Sequence, residues 1–285
     1  MKKLGLVLLI MIVGGCAIEQ YPGTQKLPPP KNLRLSSANS GITVRLDWDA
    51  PDSGIPDGYI VYFKSIYDTT FKPIDTTGAL YDTVTPGDTT GYYYVTAFSF
   101  DLGESNPSNI DSTVPIHTPD ITIYELDKEQ SPLYYSGFGF DTTSGFGGLF
   151  PMKLPTHCFK IDFYMTDMDT GWSGPYWFVS SNLVYRFPHD SSLIHYRCSF
   201  KNTRFYLITD YATRRKILPD SSQYGTGVQV GSNNWINAQY IAVYTQEGYY
   251  ALLKIDPLSV DTIQGKVNFD AYFQKVRGLR IIQHR

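Results

Sequence analysis

Residues able to do chemistry are few in this chain, and their spacing narrows what they can do. Asp167-Met168-Asp169-Thr170-Gly171 opens like a calcium loop, since alternating carboxylates can converge on a hard cation. A third ligand and a distal Glu are missing, so Asp167 and Asp169 make an incomplete calcium site and a polar turn is the simpler reading. Asp162, Asp167 and Asp169 are also carboxylates of the kind a polysaccharide-cleaving enzyme uses, but such pairs are defined by separation in space, not in sequence. The nucleophile elbow Gly-x-Ser-x-Gly is absent, because Gly103-Glu104-Ser105-Asn106-Pro107 ends on the wrong residue. Histidines 117, 157, 189, 195 and 284 show no metal-ligand spacing, and His157 beside Cys158 reads as structural. The Gly-rich stretch from Gly137 to Gly148 lacks the Lys and Ser/Thr ending of a phosphate loop and reads as a flexible loop interleaved with aromatics. No cofactor is expected. The best candidate for ligand binding is Trp172-Ser173-Gly174-Pro175-Tyr176-Trp177, where Trp172, Tyr176 and Trp177 could stack on sugar rings or anchor a protein partner. The competing reading is that these rings plug the end of a sheet core.

The N-terminus supplies a different chemistry. Met1-Lys2-Lys3, an apolar run from Leu4 to Val13 and Gly14-Gly15 before Cys16 have the layout of a secretory signal peptide over residues 1–15. The run is too short to span a bilayer core, which takes about twenty apolar residues, and no later segment is long and apolar enough either. Val13-Gly14-Gly15-Cys16 resembles the bacterial lipobox. That resemblance implies that the Cys16 sulfur carries a diacylglycerol and that Cys16 becomes the new N-terminus, with two or three acyl chains giving firm attachment. Ala17, where an Asp often signals inner-membrane retention, favours the outer membrane in a Gram-negative cell. The expected place is the bacterial cell envelope, lipid-anchored and extracytoplasmic. With the lipid on Cys16, Cys158 and Cys198 remain as an even pair in an oxidising compartment, where a disulfide is expected over two buried thiols.

The body that these residues sit on reads as all-β. Aromatic residues make up 15% of the chain, led by 23 Tyr, against 18% charged residues, a balance that suits strands. No stretch holds a helical period. Net charge is −3, and −5 without Lys2 and Lys3 (−3 − 2), which disfavours nonspecific nucleic-acid binding. The basic run Arg214-Arg215-Lys216 reads as a solvated turn. Residues 16–30 form a polar tether stiffened by Pro28-Pro29-Pro30.

Residues 31–115 hold short strands divided by turns. Val44, Leu46 and Trp48 alternate with Arg45, Asp47 and Asp49; Tyr59, Val61 and Phe63 share one face, as do Tyr93, Val95 and Ala97. Pro29-Pro30-Lys31-Asn32-Leu33, Leu46-Asp47-Trp48-Asp49-Ala50-Pro51, Gly58-Tyr59-Ile60-Val61-Tyr62, Tyr94-Val95-Thr96-Ala97 and Gly103-Glu104-Ser105 resemble, in order and spacing, a fibronectin type III domain. The resemblance implies a β-sandwich with Trp48 and Tyr59 between the sheets, and a spacer or binding unit without chemistry. Gly91 stands where that family usually has a Tyr, with Tyr92 beside it, a departure from the pattern that forms a tyrosine corner. No Arg-Gly-Asp tripeptide occurs.

Residues 119–285 fit no family pattern, yet strands are legible. Phe159, Ile161 and Phe163 alternate with polar neighbours, as do Val267, Phe269, Ala271 and Phe273. The runs Tyr240 to Thr245 and Tyr249 to Ile255 flank Gln246-Glu247-Gly248 as a hairpin. A second sandwich or a small barrel is expected, with Cys158 and Cys198 joining two of its strands.

The function these readings imply is a non-catalytic binding or adhesion protein for glycan or envelope protein, anchored to a membrane, with no nucleic-acid partner. A structural subunit of an envelope assembly is the alternative class, and a polysaccharide-acting enzyme the third.

Overall fold

The computed structural model describes residues 26–168, 175–209, 217–231 and 237–283. The lipobox around Cys16 lies outside them, as do Trp172, Asp169 and the basic run at 214–216.

The first unit contains β1 (Lys31–Ala38), β2 (Thr43–Asp49), β3 (Gly58–Ser65), β4 (Lys72–Thr77), β5 (Tyr81–Val84), β6 (Gly91–Ser99), β7 (Gly103–Glu104) and β8 (Asp111–Ser112). One sheet has the order β1-β2-β5; the other runs β4-β3-β6-β7, with β8 also on β6. This is a fibronectin type III-like sandwich. Period-two alternation drives it: Val44, Leu46, Trp48, Tyr59, Val61, Tyr93, Val95 and Ala97 are buried between the sheets. Trp48 meets Tyr59 edge-to-face at 5.5 Å, a pair adding about 1 kcal/mol beyond its area. Gly91 cannot be replaced by a tyrosine, because a Cβ there would overlap the Lys64 carbonyl and the Phe63 ring.

The second unit begins with β9 (Ile116–Tyr124), β10 (Gly137–Phe140), β11 (Gly147–Phe150), β12 (Phe163–Thr166) and β13 (Tyr176–Ser180). It continues through β14 (Arg204–Ile208), β15 (Gly227–Val230), β16 (Gln239–Tyr244), β17 (Tyr250–Ile255), β18 (Val260–Asp261) and β19 (Lys266–Phe273). The strands form a five-stranded sheet, β11-β10-β12-β13-β15, and a six-stranded sheet, β14-β16-β17-β19-β18 with β9 on β19. The two sheets share one aromatic core, where Phe138 and Phe178 of one pack on Phe269 of the other at 5.3 and 5.4 Å. The unit is a second sandwich, not a barrel.

Three local expectations change. The Gly-rich stretch is a hairpin, β10 paired with β11, rather than a flexible loop. Its glycines are set by close approach: a Cβ at Gly139 would overlap the Lys160 carbonyl. The strand expected from Phe159 begins only at Phe163, because Pro155–Lys160 is a 3-10 helix started by its proline. Cys158 therefore sits in that helix and Cys198 in irregular chain, so their disulfide joins two segments of a covering layer rather than two strands. The bond itself is present, with Cα atoms 6.3 Å apart. Tyr185, Tyr196 and Phe200 pack with it over the outer side of the five-stranded sheet.

The chain's last described segment returns to the first unit. Val276, Leu279 and Ile281 are buried in the same cluster as Trp48 and Tyr93. Arg280 N–H donates to the Gly41 carbonyl at 2.8 Å, and Gln274 Nε2 donates to the Thr113 carbonyl at 2.8 Å. The two sandwiches are thus knit by core contacts and buried hydrogen bonds.

Candidate functional site

Of the expected rings, Trp172 lies outside the described residues, and Tyr176 and Trp177 part company. Tyr176 opens β13 with 1% of its surface exposed, its ring in the inter-sheet core and its hydroxyl donating to the Thr262 carbonyl at 3.1 Å. Trp177, the next residue on the strand, projects to the opposite face and packs half-buried against the Cys158 layer. One strand cannot place consecutive rings on one face, so Tyr176 and Trp177 offer no shared surface.

Asp162 and Asp167, two of the carboxylates named from sequence, are also buried. Asp162 accepts the Phe140 N–H at 2.7 Å and lies 3.4 Å from Lys201, which reaches Glu247 at 3.0 Å. Burial pushes the Asp162 carboxyl up to about 6 against the pull of Lys201. Asp167 follows β12 and is buried near a group that sequence reading missed, Glu125 at the end of β9. Glu125 is 1% exposed; one carboxyl oxygen accepts the Asp127 N–H at 2.9 Å and the other accepts no hydrogen bond among the described residues. Burial pushes Glu125 up to about 8, helped by the negative charges of Asp127, Asp167 and Asp190. Asp190 accepts the Tyr164 hydroxyl at 2.8 Å, and His189 Nε2 lies 2.8 Å from Asp127. Glu125, Asp167 and Asp190 are shut from solvent and so present no carboxylate pair to a polymer. Among the described residues no group of three or more His, Cys, Asp or Glu is arranged to hold a metal ion.

An accessible array lies elsewhere, on the outer face of the first unit's larger sheet. The alternation that buries Tyr59, Val61, Tyr93 and Val95 turns Tyr62, Lys64, Tyr92 and Tyr94 outward. Tyr62 and Tyr94 are direct partners across β3 and β6, their rings stacked at 4.6 Å and 21°. Phe71 adds a third ring 4.6 Å from Tyr94. Lys64, opposite Tyr92, holds its ammonium 5.0 Å from the ring centres of both Phe71 and Tyr92. The Tyr62 hydroxyl donates to Glu104 at 2.8 Å; burial and that carboxylate push the phenol up to about 12.

The array runs into a cleft of about 450 Å³ between the two units, lined by Lys64, Tyr92, Asp68, His117, Tyr272 and Gln283 among others. On its far wall the His117 imidazole stacks on Tyr272 at 4.5 Å, nearly parallel, with Nε2 3.6 Å from Asp270. Lys64 and Tyr92 therefore belong both to the ring array and to a cleft of ligand size.

Over about a third of its length the chain is similar to several solved structures, fibronectin type III domains among them. A Fn3-like protein from Clostridium thermocellum matches with 25% identity over 30% of this chain and 90% of its own, at a TM-score of 0.27. The fibronectin type-III domain of human fibronectin type III domain containing protein 3 matches with 24% identity over 32% of this chain and 88% of its own, at 0.28. Domains A168-A170 of titin match with 26% identity over 31% of this chain, which spans 32% of that fragment, also at a TM-score of 0.28. No family model matches the chain, and no curated protein sequence matches it.

The aromatic array carried a sequence signal that went unused. Tyr62 and Tyr94 sit one residue out of phase with core positions Val61 and Val95, so their outward direction follows from period two alone. Their side-by-side pairing depends on the β3–β6 register. The cleft had no such signal, since His117 and Tyr272 meet Lys64 only through the packing of the two units.

Proposed function

We propose that the protein is a lipid-anchored, extracytoplasmic, non-catalytic binding protein of the bacterial cell envelope, whose ligand is an envelope glycan or protein. The observation that carries the reading is the half-buried array of Phe71, Tyr62, Tyr94, Lys64 and Tyr92 running into the His117 cleft. Aromatic side chains give large contact area at small entropic cost, and their faces suit the apolar faces of sugar rings as well as protein side chains. Lys64, Glu104, Asp68 and His117 border the rings with groups that orient a polar ligand. The recognition surface in this reading lies on the first unit and its junction with the second, apart from Tyr176 and Trp177, which β13 turns to opposite faces. Cys16 supplies the anchor in this reading, supported by its charge, apolar run and small residues. Retention of the purified protein on arrays of envelope glycans and cell-wall polymers, and on immobilised envelope proteins, tests it. Retention that falls at least tenfold in Tyr62→Ala/Tyr94→Ala is the expected result; no retention on any of these surfaces contradicts it.

A further inference from the structure

Several large apolar side chains stand in water at one end of the first unit. Ile55, in the turn between β2 and β3, is 93% exposed, and Phe100, in the turn between β6 and β7, is 86% exposed. Leu102 in the same turn and Leu80 in the turn between β4 and β5 are exposed beside them. The turns share this end because Asp57 and Phe98 are hydrogen-bonded neighbours and Trp48 N–H donates to the Leu80 carbonyl at 3.1 Å. The tips are held outward: Asp57 accepts the Phe100 N–H at 2.7 Å, and Phe98 braces the Phe100 ring edge-on at 5.8 Å.

The chain enters at this same end. Leu27 lies against Gly54, next to Ile55. Lys26 reaches Asn106 at 3.3 Å, and Lys31 pairs with Asp52. Cys16 precedes Lys26 by ten residues (26 − 16), a reach of at most about 35 Å when fully extended. The second unit joins at the opposite end, where Thr90 meets Gln283 and Gly41 meets Arg280.

We infer that Ile55 and Phe100 insert into the interfacial layer of the bilayer that holds Cys16, so that the first unit stands on its turns and the second is held away from the membrane. The inference rests on the lipid-anchor reading of Cys16. A short tether starting beside four apolar side chains holds them at the lipid surface, and such side chains gain by leaving water there. The surface they fit is a neutral, zwitterionic one. Asp49, Asp52, Asp57, Asp101 and Glu104 lie at this end against Lys26, Lys31 and Arg34, so anionic headgroups are repelled.

The test uses the full lipidated protein in phosphatidylcholine and phosphatidylethanolamine vesicles, with an environment-sensitive fluorophore on Ile55→Cys, Phe100→Cys or, as the distal control, Ile263→Cys. Ile263 is 91% exposed in the turn between β18 and β19. The expected result is a blue shift, a severalfold rise in emission and quenching by doxyl-labelled lipid at positions 55 and 100, none at 263, and a weaker effect when phosphatidylglycerol is added. Unchanged emission at 55 and 100 on protein that floats with the vesicles overturns the insertion while leaving the anchor intact. Wild-type protein that fails to float, or Cys16→Ser protein that floats equally well, overturns the anchor reading and the insertion with it. A blue shift that appears without vesicles and grows with protein concentration assigns the tips to a second copy of the chain and likewise overturns the proposal.

Discussion

The backbone N–H of Arg280 donates to the carbonyl of Gly41 at 2.8 Å, closing the turn between the first two strands with the end of the second sandwich. A spacer joined by a loose linker would make no such bond. Here Val276, Leu279 and Ile281 complete the first unit's core, so the walls of the junction cleft are joined by packed chain.

Leu279→Ala tests that union. Truncating a fully buried leucine costs about 3 kcal/mol, although the residue belongs to the tail of the other sandwich. Urea denaturation followed by tryptophan fluorescence and by circular dichroism should show both probes shifting together. A variant whose first unit unfolds at the wild-type midpoint contradicts the account.

The Cys158–Cys198 bond closes a 40-residue separation. Confining the unfolded chain over such a loop is worth about 4 kcal/mol, and the bond pins the layer holding Tyr185, Tyr196 and Phe200. Cys158→Ala/Cys198→Ala should lose most of that stability and gain rapid hydrogen exchange across residues 181–200, with the β16–β17 hairpin protected as before. Unchanged stability would show that the layer holds without its crosslink.

Glu125 gives stability a pH dependence of definite sign. Its carboxyl rises from the ordinary 4.5 to about 8 on folding, so the folded chain binds the proton more tightly than the unfolded one. The proton stabilises the fold fully below about pH 4.5, and that contribution is lost as pH rises towards 8, at up to about 1.4 kcal/mol per unit. Glu125→Gln, permanently neutral, should match wild type at pH 4.5 and exceed it in melting temperature at pH 8.5. Asp162, raised to about 6 by burial, leaves a residual slope of the same sign below pH 6. Parallel wild-type and variant profiles across this range would remove Glu125 as their cause.

The sandwich was legible because its signals are local. Val44, Leu46 and Trp48 repeat every second residue between turns, as do Tyr93, Val95 and Ala97, and the β16–β17 hairpin announced itself by Gln246-Glu247-Gly248 between two apolar runs. Signals needing a partner from distant chain were not legible. Tyr176 and Trp177 look like a pair in sequence, yet adjacent strand residues face opposite ways, so β13 separated them. Glu125 reads as an ordinary surface acid until β9, β12 and α1 (Pro188–Leu193) close over it. Gly139 looks like loop glycine until Lys160 is seen against it.

The central claim is recognition through the outward rings of the first unit. Its most direct measurement compares wild type with Tyr62→Ala/Tyr94→Ala for retention on envelope glycan and protein arrays, with melting temperature as the control. Both side chains are half-buried on an outer face, so the double variant should stay folded. The account predicts at least a tenfold loss of retention with melting changed by only a few degrees; wild-type retention by the folded double variant would place the ligand elsewhere and contradict it.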